Sequence, residues 1–376
     1  MATKQLQRVA VVAGARTPFV KARTAFEEVS ALDLSGYAVR GLLERHDVDP
    51  ASIEALTWGI VLADPARPNL AREIVFANDL PRSIEAQTIS SYCITGLRTV
   101  TSVAEAIATG RIEVGIAGGV EQLSRATMDT FREPTTGLSM GEHMELTVNE
   151  WSVARERQDE LSLVSHQRAV AAADKLAAEI VPTAGVEADS GPRAGSTLDA
   201  LAGLTPVFDA EKGTLTAGNS SPVTDGASAV LLMSEDRAKR EGREALAYIT
   251  HSEYAAIDPG EGLLMAPAVT VPRLLERTGL ALTDLDLFDI HEAFAAQVLA
   301  NVDAWQKGWK GAPTGDIDWD KVNVNGGSVA IGHPWSATGG RIVTTLANEM
   351  ARRDAKRGLI SVCAAGAMAG ALLLER

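Results

Sequence analysis

Hydrophobic and polar positions along the chain follow two alternating patterns, which predict a protein of the α/β class. Short runs of β-branched and other apolar residues, such as RVAVVAG (8–14) and EVGIAGGVE (113–121), indicate buried strands. Apolar residues at helical spacing, as in LDLSGYAVRGLLERH (32–46), indicate amphipathic helices. The same patterns predict strands at 53–62, 227–235, 359–363 and 371–375, and helices from Leu97, over 155–179 and over 341–354. Such a succession predicts packed layers of helices and sheet.

The alternation loosens between residues 122 and 212, which predicts an insertion in an otherwise regular chain. We expect an N-terminal half formed by 1–121 and 213–245, an inserted domain at 122–212, and a C-terminal half at 246–376. Each half contains a reactive residue at a turn, then an amphipathic helix, then a buried strand. The two halves are therefore predicted to be similar.

Composition argues against several classes of protein. A net charge of −14 without a run of Lys or Arg argues against a nucleic-acid partner. No apolar stretch reaches the roughly 18–20 residues of a membrane span, and the first residues do not follow the pattern of a signal peptide. The chain has two cysteines far apart, which do not make a disulfide framework. We expect a cytoplasmic protein with free thiols and no membrane span.

Cys93 stands directly before a predicted helix, in SSYCITGL. The unpaired N–H groups and the dipole at a helix N-terminus are expected to lower the pKa of its thiol. A thiol of this kind is a candidate nucleophile. A buried structural cysteine is the alternative.

A second cysteine and a histidine lie in other segments rich in small residues. Cys363 ends the strand in GLISVCAAGAMAG, where backbone can approach a ligand, although a core cysteine at a strand end fits equally. His333 lies in GGSVAIGHPWSATGG, where glycines leave the ring open for a general-base role, or for a structural hydrogen bond. This loop lacks the G-x-G-x-x-G pattern of a dinucleotide site.

His291 lies in DIHEAFAAQ, whose HE pair is found in zinc-protease helices. Ala295 occupies the position that the second His would need, so a metal site is disfavoured. Capping of a helix N-terminus is the alternative for His291. The contexts of His46, His166 and His251 indicate structural roles.

Together, two thiols and two histidines beside small residues fit thiol-based acyl transfer, which needs a nucleophile, bases and an oxyanion site. The chain also resembles the thiolase family essentially end to end. The motifs that carry the resemblance are GARTPF, the cysteine before a helix, GGVEQLS, GTLTAGNSSPVTDGASAVLLMSE, HEAFAAQ, NVNGGSVAIGHPWSATGGR and CAAGAMAG. The HEAF form, with PNLAREI (68–74) and LLMAP (263–267), is most similar to 3-ketoacyl-CoA thiolases of the trifunctional-protein β-subunit type.

The resemblance implies a thiolase fold, in which two similar five-stranded α/β halves form helix, sheet, helix, sheet and helix layers beneath an inserted loop domain. It implies acetyl-CoA C-acyltransferase activity in fatty acid β-oxidation, with acyl-CoA and CoA as substrates and no permanently bound cofactor. At least a homodimer is expected. A hydratase/dehydrogenase α-subunit is a candidate partner by analogy alone.

The resemblance also implies roles for individual residues. Cys93 matches the acylated nucleophile, His333 the base that activates it, and Cys363 the second thiol, which shuttles a proton. His291 and His333 match the oxyanion site for the thioester enolate. The backbone N–H groups of Cys93 and Ala365 match a second oxyanion site.

Eight residues match contacts to coenzyme A in the family: His143, Met144, Arg193, Phe208, Ala217, Ser221, Ala293 and Phe294. Arg193 is expected near the nucleotide and Ser221 at the pantetheine. His143 and Met144 are expected to contact CoA from the loop domain, and the other four residues to line the pantetheine tunnel.

The sequence departs from the family pattern in two places. The segment between GGVEQLS and MGEHM is short where relatives carry a tetramerisation loop or a membrane-associated insertion, so we expect a dimer without membrane contact. Trp335 and Ser336 replace smaller residues, and Ala367 and Ala369 replace glycine, which predicts strain wherever φ must be positive. The acyl chain length therefore stays open.

Three rival functions remain. The chain could be an acetoacetyl-CoA-forming biosynthetic thiolase or a decarboxylating condensing enzyme, the second of which would not need Cys363. An inactive acyl-CoA-binding scaffold subunit is the rival from another class. The presence of all four reactive side chains argues against a scaffold.

Overall fold

The structure is a computed structural model that describes residues 6–127 and 131–376. Its strands are Val9–Arg16 (β1), Val20–Lys21 (β2), Ala55–Gly59 (β3), Glu85–Ile89 (β4), Val114–Glu121 (β5), Thr224–Ser234 (β6), Ala247–Ala256 (β7), Leu287–Ile290 (β8), Arg357–Ala364 (β9) and Met368–Glu375 (β10). Its helices are Ala31–Arg45 (α1), Leu70–Ala77 (α2), Thr95–Ala108 (α3), Met140–Trp151 (α4), Arg155–Ala171 (α5), Ala173–Ala177 (α6), Leu198–Ala202 (α7), Glu235–Arg240 (α8), Pro267–Thr278 (α9), Ala295–Lys307 (α10), Ser328–Ile331 (α11) and Trp335–Arg353 (α12).

The strands form two halves with the same order. The continuous path is β4-β3-β5-β6-β1-β7-β10-β9-β8, and β1 meets β7 through antiparallel pairs such as Val9 with Ile249. In the C-terminal half, an isolated parallel bridge between Phe288 and Val322 stands beside β8 where β4 stands beside β3. The predicted fifth strand of this half is thus reduced to a single bridge.

Apolar side chains separate the halves into layers. α3 and α12 pack between the two halves, and α12 contacts β5 and β6 on one side and β8 and β9 on the other. α1 and α2 cover the outer face of the N-terminal half, whereas α9 and α10 cover that of the C-terminal half. The predicted succession of helix, sheet, helix, sheet and helix is therefore found. None of the helices within the described ranges has both the length and the apolar character needed to cross a bilayer.

The two central helices touch through glycine. A Cβ built on Gly96 of α3 would lie 2.7 Å from the carbonyl oxygen of Ser336, and one built on Gly339 of α12 would lie 2.8 Å from the Cα of Gly96. Backbone therefore meets backbone at this crossing. It holds the N-terminal ends of α3 and α12 together, close to Cys93 and His333.

We expect Gly339→Ala to lower the free energy of unfolding by about 1–3 kcal/mol, because the added methyl group meets rigid backbone and overpacks the crossing. Urea unfolding followed by circular dichroism measures the change. Gly195→Ala is the matched control, since no atom of the described residues, apart from the two chain neighbours, lies within 4 Å of a Cβ at that position. Equal stability of the two variants would contradict the close crossing.

Several elements differ from the sequence prediction. The predicted helix at 155–179 is divided into α5 and α6, and several elements were not predicted, among them α2, α4, α7, α8, α9, α11, β4 and β8. β7 was missed as well, because four consecutive polar residues, 250–253, interrupt its apolar positions. α4 has a signal that could have revealed it, since Ser139 and Glu142 form a reciprocal capping box at its start.

Candidate active site

Cys93 is presented by a tight turn. It occupies a 3₁₀ turn, Tyr92–Ile94, between β4 and α3, directly before the helix as the sequence predicts. Tyr92 has a φ of +50°, a conformation that costs a non-glycine residue free energy. The Thr95 hydroxyl holds the turn by accepting from the N–H of Ser91 (2.7 Å) and donating to the carbonyl of Tyr92 (2.6 Å).

The environment of Cys93 favours the thiol over the thiolate. Burial raises the pKa of Cys93 to about 12, the backbone N–H of Ala365 opposes this by hydrogen bonding to the sulfur, and the charge of Glu121 raises the pKa further. The predicted lowering of this pKa by the helix N-terminus is therefore wrong, because desolvation outweighs it. Cys93 consequently needs a base to become a nucleophile at neutral pH.

The second thiol lies close to the first. Cys363 is buried near the end of β9, two residues before Ala365. Burial and the negative charge of a Cys93 thiolate raise the pKa of Cys363 well above its ordinary value, and the N–H of Ala293 opposes this. The structure thus brings together the two thiols and the N–H of Ala365.

The turn after β9 contains the predicted backbone strain. Ala367 has a φ of +52° and follows Gly366, whose φ is +69°. Ala369 has no such strain, because it lies in β10 in regular pairing with Cys363. Only one of the two glycine replacements therefore carries a conformational cost.

His291 and His333 form an adjacent pair whose ring centroids lie 4.1 Å apart. His291 follows β8 and donates its backbone N–H to the carbonyl of Ser361 on β9 (2.8 Å). His333 lies between α11 and α12 and donates its backbone N–H to the Thr224 hydroxyl (2.8 Å). The backbone of each histidine is thus held by a residue of a neighbouring strand.

Each ring uses one nitrogen and leaves the other unpaired. Nδ1 of His291 bonds the Ser328 hydroxyl (2.8 Å), and Nδ1 of His333 bonds the Thr338 hydroxyl (2.6 Å). Nε2 of each ring is buried and has no hydrogen-bond partner among the residues that the structure describes. Two unsatisfied polar atoms this close together are costly unless a ligand uses them. They mark the position at which a reacting group can bind.

Both imidazoles are neutral at physiological pH. Burial lowers the pKa of His333 to about 3, and the positive charge of Arg341 adds to this effect. Burial, then His333, then Arg341 lower the pKa of His291 well below its ordinary value. A neutral imidazole is the form that can accept a proton from a thiol.

Sheet topology connects the thiols to the imidazoles. β8 and β9 are parallel neighbours, with Ile290 opposite Ser361, so His291, which follows β8, lies beside the end of β9 that carries Cys363. The crossing of α3 and α12 brings the turn of Cys93 to the loop of His333. All four reactive side chains predicted from the sequence thus lie in one region, while their individual roles stay predictions.

A buried carboxylate supports this region and was not predicted. Glu121 accepts hydrogen bonds from the backbone N–H groups of Val61 and Leu62 and from the Ser336 hydroxyl (2.9 Å). Burial raises the pKa of Glu121 to about 7. The carboxylate thus joins the loop after β3 to the start of α12. Ser336, where the family usually has glycine or alanine, gains a defined partner here.

The residues predicted to bind coenzyme A lie partly together. The N–H of Ser221 donates to the carbonyl of Ala293 (2.9 Å), and the rings of Phe208 and Phe294 meet edge to face at 6.0 Å. Phe208 also packs against Gly141 in α4. The same helix carries His143 and Met144. These contacts join the segment after His291 to Ser221 and to α4.

The remaining predicted coenzyme A residues differ in exposure. His143 and Met144 are buried, and His143 bonds the Thr136 hydroxyl through Nε2 (2.6 Å). Ala217 is exposed. Arg193 is exposed, and its charge acts on His166 of α5. Their contacts to coenzyme A stay predictions.

Alkylation of Cys93 tests the raised pKa. In a Cys363→Ala variant, Cys93 is the only thiol. We expect its rate of alkylation by iodoacetamide to rise about tenfold per pH unit between about pH 7 and pH 9, because the reactive thiolate fraction grows in that proportion below the pKa. Free cysteine, with a pKa of about 8.5, is the control, and its rate rises less than tenfold per unit as pH 9 is approached because much of it is already thiolate. The same flattening for Cys93 would contradict the raised pKa.

Comparison with known proteins agrees with this geometry. The sequence matches the family description "Thiolase, N-terminal domain" at residues 9–143 and 126–236 and "Thiolase, C-terminal domain" at 243–376. An acetyl-CoA acetyltransferase of Bacillus anthracis has a similar structure, with a TM-score of 0.90 and 31% identity over 99% of this chain and 100% of that one. Human mitochondrial 3-ketoacyl-CoA thiolase gives a TM-score of 0.89 and 30% identity over 99% of both chains.

Sequence relatives extend over the whole chain. The 3-ketoacyl-CoA thiolase of Shewanella frigidimarina is 39% identical over 98% of this chain and 97% of its own length. The protein of the same name from Colwellia psychrerythraea is 38% identical over 100% of this chain and 98% of its own length. These matches show that the chain belongs to the thiolase family.

Proposed function

We propose that the chain is a 3-ketoacyl-CoA thiolase, an acyltransferase that uses CoA to cleave a 3-ketoacyl-CoA into acetyl-CoA and a shortened acyl-CoA in fatty acid β-oxidation. The observation that carries the proposal is the pair of neutral imidazoles with unpaired, buried Nε2 atoms in the region that holds both thiols. The names of the relatives support the same reaction.

The first half-reaction acylates Cys93. Nε2 of His333 takes the thiol proton, and the thiolate attacks the 3-keto carbon of the substrate. The negative charge that develops on the keto oxygen is stabilised by the backbone N–H groups of Cys93 and Ala365, the second of which already faces the sulfur. Since the pKa of Cys93 is high and that of His333 is low, proton transfer from Cys93 to His333 is unfavourable alone. It proceeds when the thiolate attacks the keto carbon directly afterwards.

Cleavage of the carbon–carbon bond completes acylation. The bonding electrons pass to the acetyl-CoA fragment as an enolate, whose oxygen accepts hydrogen bonds from Nε2 of His291 and of the protonated His333. Cys363 gives its proton to the enolate carbon and becomes a thiolate. Acetyl-CoA then leaves, and the acyl group remains on Cys93.

The second half-reaction transfers the acyl group to CoA. The Cys363 thiolate takes the thiol proton of CoA, and the resulting CoA thiolate attacks the acyl carbon. Cys93 leaves as a thiolate and recovers its proton from His333, which restores the starting state. Each step is reversible, so the site also supports Claisen condensation of two acyl-CoA molecules.

A series of 3-ketoacyl-CoA esters, from acetoacetyl-CoA to long-chain esters, tests the function. We expect thiolysis with at least one ester, and a Cys93 peptide carrying the matching acyl group in mass spectrometry. Activity confined to acetoacetyl-CoA would favour the alternative function of a biosynthetic thiolase. The similarity to an acetyl-CoA acetyltransferase is consistent with that alternative. Absence of thiolysis with intact CoA binding would favour the scaffold, and full condensing activity in Cys363→Ala would favour a decarboxylating enzyme.

Assembly and location are part of the same proposal. The alignment with the Shewanella relative spans 422 positions, whereas this chain has 376 residues, so the relative carries insertions that this chain lacks. This supports a homodimer without the added oligomerisation or membrane segment, and light scattering would show a tetramer if the idea is wrong. Two free cysteines support a reducing, cytoplasmic location. Co-purification would show whether a hydratase/dehydrogenase α-subunit binds.

A further inference from the structure

A buried hydroxyl lies between the oxyanion histidine and an arginine. The oxygen of Ser328 is 2.8 Å from Nδ1 of His291 and 3.1 Å from Nη2 of Arg341. All three side chains are completely buried. Arg341 also faces the carboxylate of Asp289, with Nη1 3.5 Å from Oδ2. Water therefore does not replace either hydrogen-bond partner of the Ser328 hydroxyl.

The hydrogen bonds of the Ser328 hydroxyl determine which ring nitrogen of His291 carries the proton. An arginine side chain only donates hydrogen bonds, so the Ser328 oxygen accepts from Arg341. The hydroxyl proton of Ser328 then needs an acceptor. Among the described residues, Nδ1 of His291 is the acceptor within hydrogen-bonding distance of this hydroxyl. Nδ1 therefore carries no proton, and a neutral ring must carry it on Nε2.

We propose that Ser328, oriented by Arg341, is a positioning residue that holds His291 in the Nε2–H tautomer. The unpaired Nε2 of His291 is then a preformed donor rather than an acceptor. In the reaction it donates to the enolate oxygen without first having to reorganise. This catalytic consequence rests on the proposed thiolase function, whereas the tautomer itself does not.

Assigning the donors and acceptors around His333 in the same way gives the opposite tautomer. Its Nδ1 bonds the Thr338 hydroxyl, which has a second partner in the carbonyl oxygen of Pro334 at 3.5 Å. Thr338 donates to that carbonyl, as helix threonines do four residues back, and so accepts from an Nδ1–H group. Nε2 of His333 is left with a free lone pair. Two rings 4.1 Å apart thus have different tasks, since His291 donates a hydrogen bond and His333 accepts a proton.

Nitrogen-15 NMR of histidine-labelled protein at neutral pH measures the tautomers directly. The chain has only six histidines, so His291→Gln and His333→Gln variants assign the two resonances. We expect His291 to show a protonated Nε2 and a bare Nδ1, and His333 the reverse. A proton on Nδ1 of His291 in the unmodified protein overturns the proposal, whether or not any variant folds.

Variants of Ser328 test its role. We expect Ser328→Ala to release Nδ1, so that the His291 proton is shared between the nitrogens, and to lower kcat roughly 10²–10³-fold, the cost of one oxyanion donor. KM should change little, because the enolate exists only after binding. Ser328→Thr keeps the hydroxyl and should restore both the NMR signature and kcat.

The matched control is Ser162→Ala, which removes an equally buried hydroxyl whose one hydrogen-bond partner in the described part of the chain is the carbonyl of Gln158. It should leave the His291 tautomer and kcat unchanged. If Ser328→Ala behaves like this control, the positioning role is refuted. If the unmodified protein lacks thiolysis while His291 shows the expected tautomer, the proposed function fails and the tautomer assignment is supported.

Discussion

Replacing Cys93 by serine is expected to abolish thiolysis, with kcat falling by about 10⁴-fold or more. The hydroxyl is a much weaker nucleophile than a thiol, and the desolvation that already raises the pKa of the Cys93 thiol to about 12 disfavours an alkoxide still more. Steady-state thiolysis measures the loss. Intact-protein mass spectrometry should show no acyl adduct after incubation with substrate.

The fold should survive this change, because serine fits the same turn and the hydrogen bonds of Thr95 are untouched. Thermal unfolding and CoA binding therefore serve as controls and should match the unmodified protein. An acyl adduct on another residue of the Cys93→Ser variant, together with full thiolysis, would show that Cys93 is not the nucleophile.

Replacing His333 by alanine is expected to lower the rate of Cys93 acylation roughly 10²–10⁴-fold, the usual contribution of a general base. The thiol needs a base because of its raised pKa, and His333 is neutral at working pH, since burial lowers its pKa to about 3. Rapid-quench measurement of the acylated protein isolates this step from product release.

His251→Ala is the matched control, since this imidazole is exposed on β7 and lies outside the site. Its acylation rate should equal that of the unmodified protein. An unchanged rate in His333→Ala would mean that another group activates the thiol, and Glu121, whose pKa is raised to about 7, would be the next residue to replace.

The turns that carry the reactive groups were predictable because each has a local signal. Cys93 precedes a regular amphipathic pattern, and His333 lies among glycines before Pro334. Buried strands such as β5 were also predictable, since every residue in it is apolar or buried. Local patterns of this kind survive tertiary packing because the core uses the same apolar faces.

Electrostatics could not be predicted in the same way. The pKa of Cys93 depends on burial and on the N–H of Ala365, a residue distant in sequence. The contacts of Ser328 likewise join a strand end, a short helix and the interior of α12. Long-range packing brings these groups together, and no spacing in the sequence reports it. The hydroxyls that flank the GHP turn were the one available hint.

The repeated strand order has a consequence for how the site is divided between the two halves. Cys93 follows β4 and precedes α3, while His333 follows the Val322 bridge, which occupies the place of β4, and precedes α12. The thiol and the imidazole thus stand at corresponding connections of the two halves. Because these connections differ in sequence, each half contributes a different functional group to one region, and neither half contains the whole set.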